Sequence, residues 1–324
     1  IDAHGEGDPG RAGVNMQPVE KRCIDTIKWV FEHYPIDTNR VYAVGNSMGG
    51  TGSLGIAVPR GDIFAAVKAN VPAGVNHVLS RLGYEGDAPE GFKTPDLPVI
   101  VDYSSQTDQW SRGHERLYRQ IKDHKYAIMG FWGDYGHCGS IADARKKNDL
   151  VERFDWTSIR KNAAYPVFTN ASTDDVLPWP FSVWKPNVNT YGGWSGDIKG
   201  DSKKEIAAGS KPVGQVNGFF RWENVADVDK GVKMNLFLAA SADIGGVEVP
   251  TSATADVTIR RIQSVKLTPG QSVNWTFGAK KGTVKADEQG LVTVPGLVIT
   301  AKKQLLTIAY GQGRAAKKGA KKIR

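Results

Sequence analysis

The hydrophobic pattern of this chain changes its period near residue 162, and that change constrains the fold more than any other feature. Before it, apolar runs of strand length alternate with helical stripes, and after it apolar residues recur at every second position. Alternating strands and helices are typical of an α/β domain with a parallel sheet, whereas a series of period-two runs is typical of an all-β domain. We therefore predict an α/β portion at 1–163, a β-rich domain at 164–313 and a basic tail at 314–324.

The first portion divides into elements of ordinary length. Pro18 followed by an apolar stripe from Val19 to Phe31 predicts a helix over 18–33. The other helices are predicted directly after Ser47, near 112–123 and over 141–153. The strands are predicted at 41–44, 64–69, 98–103 and 126–132.

The second portion shows alternation typical of strands that are buried on one face. Val232, Met234, Leu236 and Leu238 alternate with other residues, and 305–310 is predicted to form the last strand. Turns between strands are predicted at Gly282, Gly290 and Gly296. The simplest arrangement for such a segment is an immunoglobulin-like β-sandwich.

The net charge of +8 does not indicate a nucleic-acid partner, because most of it lies in one short segment. Residues 314–324 carry six basic and no acidic side chains, which is typical of a solvated tail. No apolar run approaches the roughly 18 residues that span a bilayer, and the first residues do not show the pattern of a signal peptide.

Residues 45–49 read Gly-Asn-Ser-Met-Gly, which matches the pattern G-x-S-x-G. The motif alone is weak in a chain with so much glycine, but it stands between an apolar strand and a helix, where a nucleophile elbow belongs. Ser47 is therefore the candidate nucleophile, and the Met48 backbone N–H, at the start of the helix, is the candidate oxyanion donor. The alternative is a glycine turn of a nucleotide-binding α/β fold.

A serine nucleophile needs a base, and the base needs an orienting acid. In a fold with a nucleophile elbow, these partners follow in the chain order serine, acid, histidine. Asp108 lies just beyond the predicted strand 98–103, and we favour it as the acid over Asp102, which lies within the strand and is expected to be buried and hydrogen bonded. His137 follows the predicted strand 126–132 and has glycines on both sides, Gly136 before it and Gly139 after it. It is therefore the candidate base. Four other histidines in this portion are predicted to be surface or packing residues: His33, His77, His114 and His124.

Residues 34–50, from Tyr34 through the glycine motif to Gly50, resemble the elbow region of α/β-hydrolase esterases. The resemblance covers about residues 16–160 and is strongest to the group of feruloyl esterases, acetylxylan esterases and polyhydroxyalkanoate depolymerases. It implies that Ser47, Asp108 and His137 act as nucleophile, acid and base without a metal or organic cofactor. It also implies a secreted or periplasmic protein whose ester substrates are linked to plant polysaccharide or are polyesters.

A subgroup of these esterases, the tannase-like enzymes, joins cysteines placed directly before the serine and directly after the histidine. Cys138 fits the second position, but Asn46 stands where the first cysteine would be, so that disulfide cannot form here. A bond between Cys138 and Cys23 is the alternative pairing, and two free thiols are equally compatible with the sequence.

The resemblance implies that several strands precede the elbow, yet only 46 residues precede Ser47. The loop that supplies a second oxyanion donor is then missing as well. The strand 41–44 would form an apolar parallel edge, which folded proteins avoid exposing. We therefore expect a companion polypeptide to supply the missing N-terminal strands, with an abbreviated fold as the alternative.

Other functions remain open at the level of sequence. A serine peptidase of prolyl-oligopeptidase type shares the elbow and the triad order, but such enzymes end soon after the histidine. An inactive scaffold that binds carbohydrate is the third possibility, since tryptophans of the β-rich domain, Trp222 and Trp275 among them, would stack on sugar rings if they were exposed. Asp174 and Asp175 are a weaker candidate for a calcium site, with an acidic turn as the simpler interpretation.

Overall fold

The computed structural model describes residues 13–72, 75–84, 88–105, 114–133, 154–176, 214–244 and 247–310. The chain divides into two compact units that are discontinuous in sequence. Residues up to 161, 173–218 and 241–248 belong to the first unit, and 162–172, 219–240 and the residues from 249 onward belong to the second. This division differs from the predicted boundary between 163 and 164.

The elements of the first unit alternate between strand and helix. Its helices are α1 (Pro18–His33), α2 (Met48–Ala57), α3 (Asn76–Arg81) and α4 (His114–Asp123), with short 3₁₀ segments at Val58–Arg60, Trp156–Ser158 and Ser241–Ile244. Its strands are β1 (Tyr42–Asn46), β2 (Ala66–Asn70), β3 (Val99–Ser105), β4 (Ile128–Gly133) and β6 (Gly214–Val216). The predicted helix at 18–33 is confirmed, and the four predicted strands are present with boundaries shifted by one to two residues. The predicted helix at 141–153 lies outside the described residues.

These strands form a mixed sheet in the order β1-β2-β3-β4-β6. The four strands from β1 to β4 are parallel, and β6 pairs antiparallel with β4. Every residue of β4 is buried, as expected for a parallel strand covered on both faces. β6 comes from the part of the chain that was predicted to be β-rich, and its three residues are too few to show a period from sequence.

The core of the first unit lies between the sheet and the helices. Side chains from β2, β3 and β4 that point to one face pack with apolar residues of all four helices. The most deeply buried members of this core include Leu54, Val67, Leu79, Ile100, Leu117, Ile121 and Trp132. Burying each such side chain contributes on the order of 2 kcal/mol to folding.

Helix α1 is held by a buried ion pair as well as by apolar contacts. Glu20 accepts a hydrogen bond from the Gln17 backbone N–H at 2.7 Å, which closes a capping box at the helix start. The same carboxylate pairs with the Arg81 guanidinium of α3 at 3.0 Å, with both side chains almost wholly excluded from solvent. This pair therefore ties α1 to α3.

The second unit consists of two antiparallel sheets. One has the order β11-β10-β13-β8-β7 and the other the order β12-β9-β5. The strands are β5 (Tyr165–Thr169), β7 (Phe220–Val228), β8 (Gly231–Leu238), β9 (Ser252–Arg260), β10 (Ser272–Phe277), β11 (Lys280–Lys285), β12 (Val292–Thr300) and β13 (Gln304–Tyr310). Strands of the two sheets contact one another, and Phe168 of β5 stacks on Phe220 of β7 with ring centroids 4.5 Å apart.

The predicted alternation in this unit is confirmed, but two of the predicted turns are wrong. Val232, Met234, Leu236 and Leu238 of β8 are all buried. Gly290 lies in a turn with φ +75°, whereas Gly282 lies within β11 opposite Trp275 and Gly296 lies at a bulge of β12. A glycine in a strand marks a close contact or a bulge as readily as a turn, and the sequence alone does not separate these cases.

Among the described residues, no helix has the length and apolar character needed to cross a membrane. The basic segment 314–324 lies outside the described residues.

Candidate active site

Ser47 lies at the junction of a strand and a helix. β1 ends at Asn46 and α2 begins at Met48, which leaves Ser47 alone between the two elements. Its backbone has φ 57° and ψ −127°, a region that non-glycine residues rarely occupy. Such strain persists only where the surrounding structure enforces it, and it is concentrated at functional sites.

Two glycines, one in the motif and one directly after it, make this sharp turn sterically possible. A Cβ at Gly45 would lie 2.1 Å from the Gly49 carbonyl oxygen, so the strand and the first turn of α2 approach too closely for any side chain there. A Cβ at Gly50 would lie 3.0 Å from the Asn70 carbonyl oxygen of β2. A Cβ at Gly49 would meet nothing within 4 Å. The close approach therefore explains the glycines at 45 and 50 but not the one at 49.

Backbone hydrogen bonds fix the serine between two strands and the helix. The Ser47 N–H donates to the Asn70 carbonyl at 2.9 Å, and the Ser47 carbonyl accepts the Thr51 N–H at 3.0 Å. No side-chain oxygen of Ser47 caps α2. Met48 is the first helical residue, and N–H groups of a first helical turn have no intrahelical acceptor. The helix start therefore presents donors and a partial positive charge beside the serine.

The parallel sheet brings the ends of its strands to one edge. Ser47 directly follows β1, while β3 ends at Ser105 and β4 ends at Gly133. Asp108 and His137 come three and four residues after those strand ends, on the same edge by sequence. Both lie outside the described residues, so their roles as acid and base remain predictions.

Asp102, the rival candidate for the acid, is buried and hydrogen bonded, as predicted. It lies within β3 with an exposed fraction of 0%, and its Oδ2 accepts a hydrogen bond from the Tyr118 hydroxyl at 2.6 Å. Burial raises the pKa of the Asp102 carboxyl, while His114 and the Tyr118 hydroxyl oppose that rise.

The four histidines predicted to be surface or packing residues have these roles. His33 stacks on Trp29, with ring centroids 4.3 Å apart, and His124 stacks on Tyr84 at 3.8 Å. His77 packs against the backbone of Gly55, and His114 is buried behind β3. None of them lies in a loop after a strand end.

Asn46 and Asn70 are residues at this site that the sequence analysis missed. They end the neighbouring strands β1 and β2, and the Asn70 Nδ2 donates to the Asn46 Oδ1 at 2.7 Å. Polar residues at the ends of two consecutive buried strands would have indicated them, because those ends meet at one edge of a parallel sheet. Val71, the next residue, has φ 42°, which is unusual for a β-branched side chain.

The carboxylates of Asp174 and Asp175 make contacts within the protein, as expected for an acidic turn rather than for a calcium site. Asp174 pairs with Lys122 and accepts the Asn217 N–H at 2.8 Å, and Asp175 accepts the Gln215 N–H at 3.1 Å. Burial raises the pKa of the Asp174 carboxyl, and Lys122 opposes that rise. Within the described parts of the chain, no group of three or more His, Cys, Asp or Glu side chains is arranged to hold a metal.

Cys23 is a half-buried free thiol, and Cys138 lies outside the described residues.

Trp222 and Trp275 are half-buried. Trp222 lies on the same side of its strand as the buried Phe220, and Trp275 on the same side as the buried Val273. These two indoles therefore belong to the inner face of their sheet. Trp179, Trp184 and Trp194 lie outside the described residues.

The edge of the sheet at β1 is open among the described residues. The N–H of Ser47 points to β2, so the carbonyl of Asn46 and the backbone groups of Val44 point away from the sheet. The Val44 and Met48 side chains are 60% and 59% exposed. Within the described residues, β1 thus combines outward-facing backbone groups with the exposed side chain of Val44, and the exposed Met48 follows at the start of α2.

Comparisons with known proteins give similarities of low coverage. No model of a protein family and no curated protein matches the chain. Among solved structures it is similar to a carboxylesterase from Bacillus cereus, with 14% identity and a TM-score of 0.31 over 41% of this chain and 59% of that one. It is also similar to S-formylglutathione hydrolase from Staphylococcus aureus, with 15% identity and a TM-score of 0.27 over 36% and 53%. A third similar structure is the fluorophosphonate-binding serine hydrolase F of Staphylococcus aureus, with 14% identity and a TM-score of 0.29 over 43% and 64%. The chain spans less than two thirds of each of these proteins, and at these TM-scores the likeness decides nothing about its activity.

Proposed function

We propose that this chain is a serine hydrolase that cleaves carboxylic esters through an acyl-serine intermediate. Ser47 is the nucleophile, His137 the base, Asp108 the acid that orients it, and the Met48 N–H a donor to the oxyanion. One observation carries the proposal: a serine with φ 57° and ψ −127° lies between a parallel strand and a helix start, flanked by glycines.

The reaction follows from what each group can do. The Ser47 hydroxyl attacks the acyl carbonyl while His137 takes the hydroxyl proton. The resulting oxyanion accepts a hydrogen bond from the Met48 N–H. Collapse of this intermediate breaks the bond to the alcohol, which leaves with the proton from His137. A water molecule then attacks the acyl group, with His137 again as base, and forms a second tetrahedral intermediate. Collapse of that intermediate releases the carboxylic acid and restores Ser47.

The experiment is intact-mass analysis after treatment with a fluorophosphonate, which reacts with activated serines. We expect one adduct on the wild-type chain, none on Ser47→Ala, and one on Ser53→Ala, a control serine in the same helix. The control separates loss of the nucleophile from disturbance of α2. Adducts on wild type and Ser47→Ala alike would contradict the assignment.

Substrate screening then separates the esterase from its alternatives. Hydrolysis of aryl and short alkyl esters without cleavage of peptide substrates supports the esterase, and the reverse result supports a prolyl-oligopeptidase-type peptidase. Esters of plant polysaccharides and polyesters are the first natural substrate classes to screen, because the sequence resembles the group of esterases described above. An unlabelled chain, with any companion chains present, would favour an inactive scaffold.

We propose in addition that a further strand from a companion polypeptide pairs in parallel with β1. The proposal rests on the outward-facing backbone groups of Val44 and Asn46 and on the exposed Val44 side chain, because folded proteins avoid such edges. Amide exchange of Val44 in the purified monomer provides the test. Rapid exchange is expected, and a protected Val44 amide in a monodisperse monomer would show that the edge is already covered.

A further inference from the structure

A cluster of polar side chains is buried between β3 and α4. Asp102, His114 and Tyr118 are 0%, 1% and 2% exposed. His114 and Tyr118 are one helical turn apart at the start of α4, so they face the same strand. All three are therefore almost wholly excluded from solvent within the described part of the chain.

The contacts within the cluster are specific. The Tyr118 hydroxyl donates to the Asp102 Oδ2 at 2.6 Å, and the Ser104 hydroxyl is also hydrogen bonded to Tyr118. The His114 Nε2 lies 3.9 Å from the same Asp102 oxygen. The Tyr118 ring lies against Gly130 of β4, where a Cβ would come within 2.1 Å of the ring. The strand thus has a glycine where the tyrosine crosses it.

This cluster of buried polar groups lowers the free energy of unfolding relative to an apolar core. The Asp102 Oδ1 and both ring nitrogens of His114 have no hydrogen-bond partner among the described residues. Buried polar atoms of this kind destabilise a fold relative to apolar side chains of similar shape. Burial raises the pKa of the Asp102 carboxyl, and His114 and the Tyr118 hydroxyl oppose that rise. What such a cluster supplies is a unique geometry for the elements that it joins.

The elements that it joins are the two ends of one connection. Ser104 is the next-to-last residue of β3, and His114 is the first residue of α4. By sequence, Asp108 lies within the connection between them. We propose that Asp102, Tyr118 and His114 are positioning residues, which hold both ends of the connection that carries the acid. The proposal rests on the proposed function for its catalytic consequence.

The experiment compares Tyr118→Phe and Asp102→Asn with Ile121→Val in the full chain. Tyr118→Phe keeps the ring against Gly130 and removes only the hydroxyl, and Asp102→Asn keeps the shape of the side chain. Ile121→Val removes one methyl group from the same face of α4, where the side chain is wholly buried and makes no polar contact. The measurements are the rate of fluorophosphonate labelling between pH 5 and pH 9 and amide exchange over 102–105 and 114–118.

We expect both cluster variants to be labelled at least about tenfold more slowly than Ile121→Val near neutral pH, since small displacements of a catalytic group have large effects. The pH midpoint of labelling should fall in the two variants, because a histidine that loses a well-placed carboxylate loses the charge that raises its pKa. Amide exchange at the start of α4 should rise in both variants and not in the control.

Two different failures are distinguishable. If the wild type is not labelled with any companion chains present, the proposed function is wrong, and the exchange comparison still tests whether the cluster holds the two ends. If the wild type is labelled but the cluster variants match Ile121→Val in rate, midpoint or exchange, the positioning role is overturned.

Discussion

At the scale of single residues, the site depends on backbone geometry more than on side-chain contacts. Ser47 occupies its rare conformation because β1 and α2 meet without an intervening loop. Gly45 makes this possible, since its hydrogen faces the Gly49 carbonyl at a distance where no methyl group fits. The proposed function of this site therefore requires that strand and helix remain in close contact.

Replacing Gly45 by alanine should destabilise the first unit by about 2 kcal/mol or more, because the new Cβ overlaps the backbone of α2. Gly49→Ala is the matched control: its Cβ would point into open space, and alanine favours helix by roughly 0.5–1 kcal/mol. Urea denaturation of both variants measures the difference. Equal losses of stability would show that the turn relaxes and that Gly45 is not required by sterics.

Glu115, in the first turn of α4, should make stability depend on pH. Burial raises the pKa of its carboxyl to about 7. The folded state therefore retains a proton that the unfolded state releases, and stability should fall as the pH rises from about 4.5 to about 7. Glu115→Gln, which cannot ionise, should match the wild type near pH 4 and exceed it in unfolding free energy near pH 8. A difference that does not change with pH would contradict the burial argument.

At the scale of elements, the helices of the first unit are fixed to each other as well as to the sheet. The buried pair of Glu20 and Arg81 joins α1 to α3, and the Arg81 guanidinium also donates to the Gly13 carbonyl at 2.6 Å. α1 is followed by β1 and the elbow, so its position bears on the strand that ends at Ser47.

Breaking this pair from one side should be costly. Glu20→Gln leaves a buried guanidinium without its counter-charge, and we expect a loss of about 3 kcal/mol in unfolding free energy. Glu20→Gln combined with Arg81→Met removes the orphaned charge and should recover part of the loss. Chemical denaturation of the single and double variants gives the coupling, and additive losses would mean that the pair is not coupled.

At the scale of the whole molecule, the two units have different kinds of core. The first buries one face of a mixed sheet under helices, and the second buries alternate side chains along the strands of two antiparallel sheets. Trp222 and Trp275 lie on the inner side of their sheet, which argues for packing rather than for stacking on sugar rings. This orientation argues against the interpretation of the chain as a carbohydrate-binding scaffold.

Trp222→Ala in the full chain should lower stability by about 2 kcal/mol, through loss of apolar burial. It should leave retention on insoluble polysaccharide unchanged. Glu223→Ala, at the next position of the same strand and pointing to the other face, is the control for disturbance of β7. A loss of retention specific to Trp222→Ala, at a temperature where both variants are folded, would support sugar binding.

The periods of the hydrophobic pattern were enough to predict the helix at 18–33, the first four strands and the alternation of β8. These features depend on local spacing, because a buried face imposes the same repeat wherever the element lies. The motif around Ser47 was also predictable, since its glycines and its place between strand and helix can be read within a few residues.

Features that depend on distant partners were decided only by the tertiary structure. β6 was missed because three residues show no period, and they form a strand only by pairing with β4. Gly282 was misassigned to a turn because its close contact is with Trp275 on the neighbouring strand. The bond between Asn46 and Asn70, and the burial of Asp102 against Tyr118, likewise join residues from separate elements. Local sequence determined the first four strands and the helix at 18–33, whereas packing between elements decided the short strand β6 and which polar residues meet at the elbow and behind it.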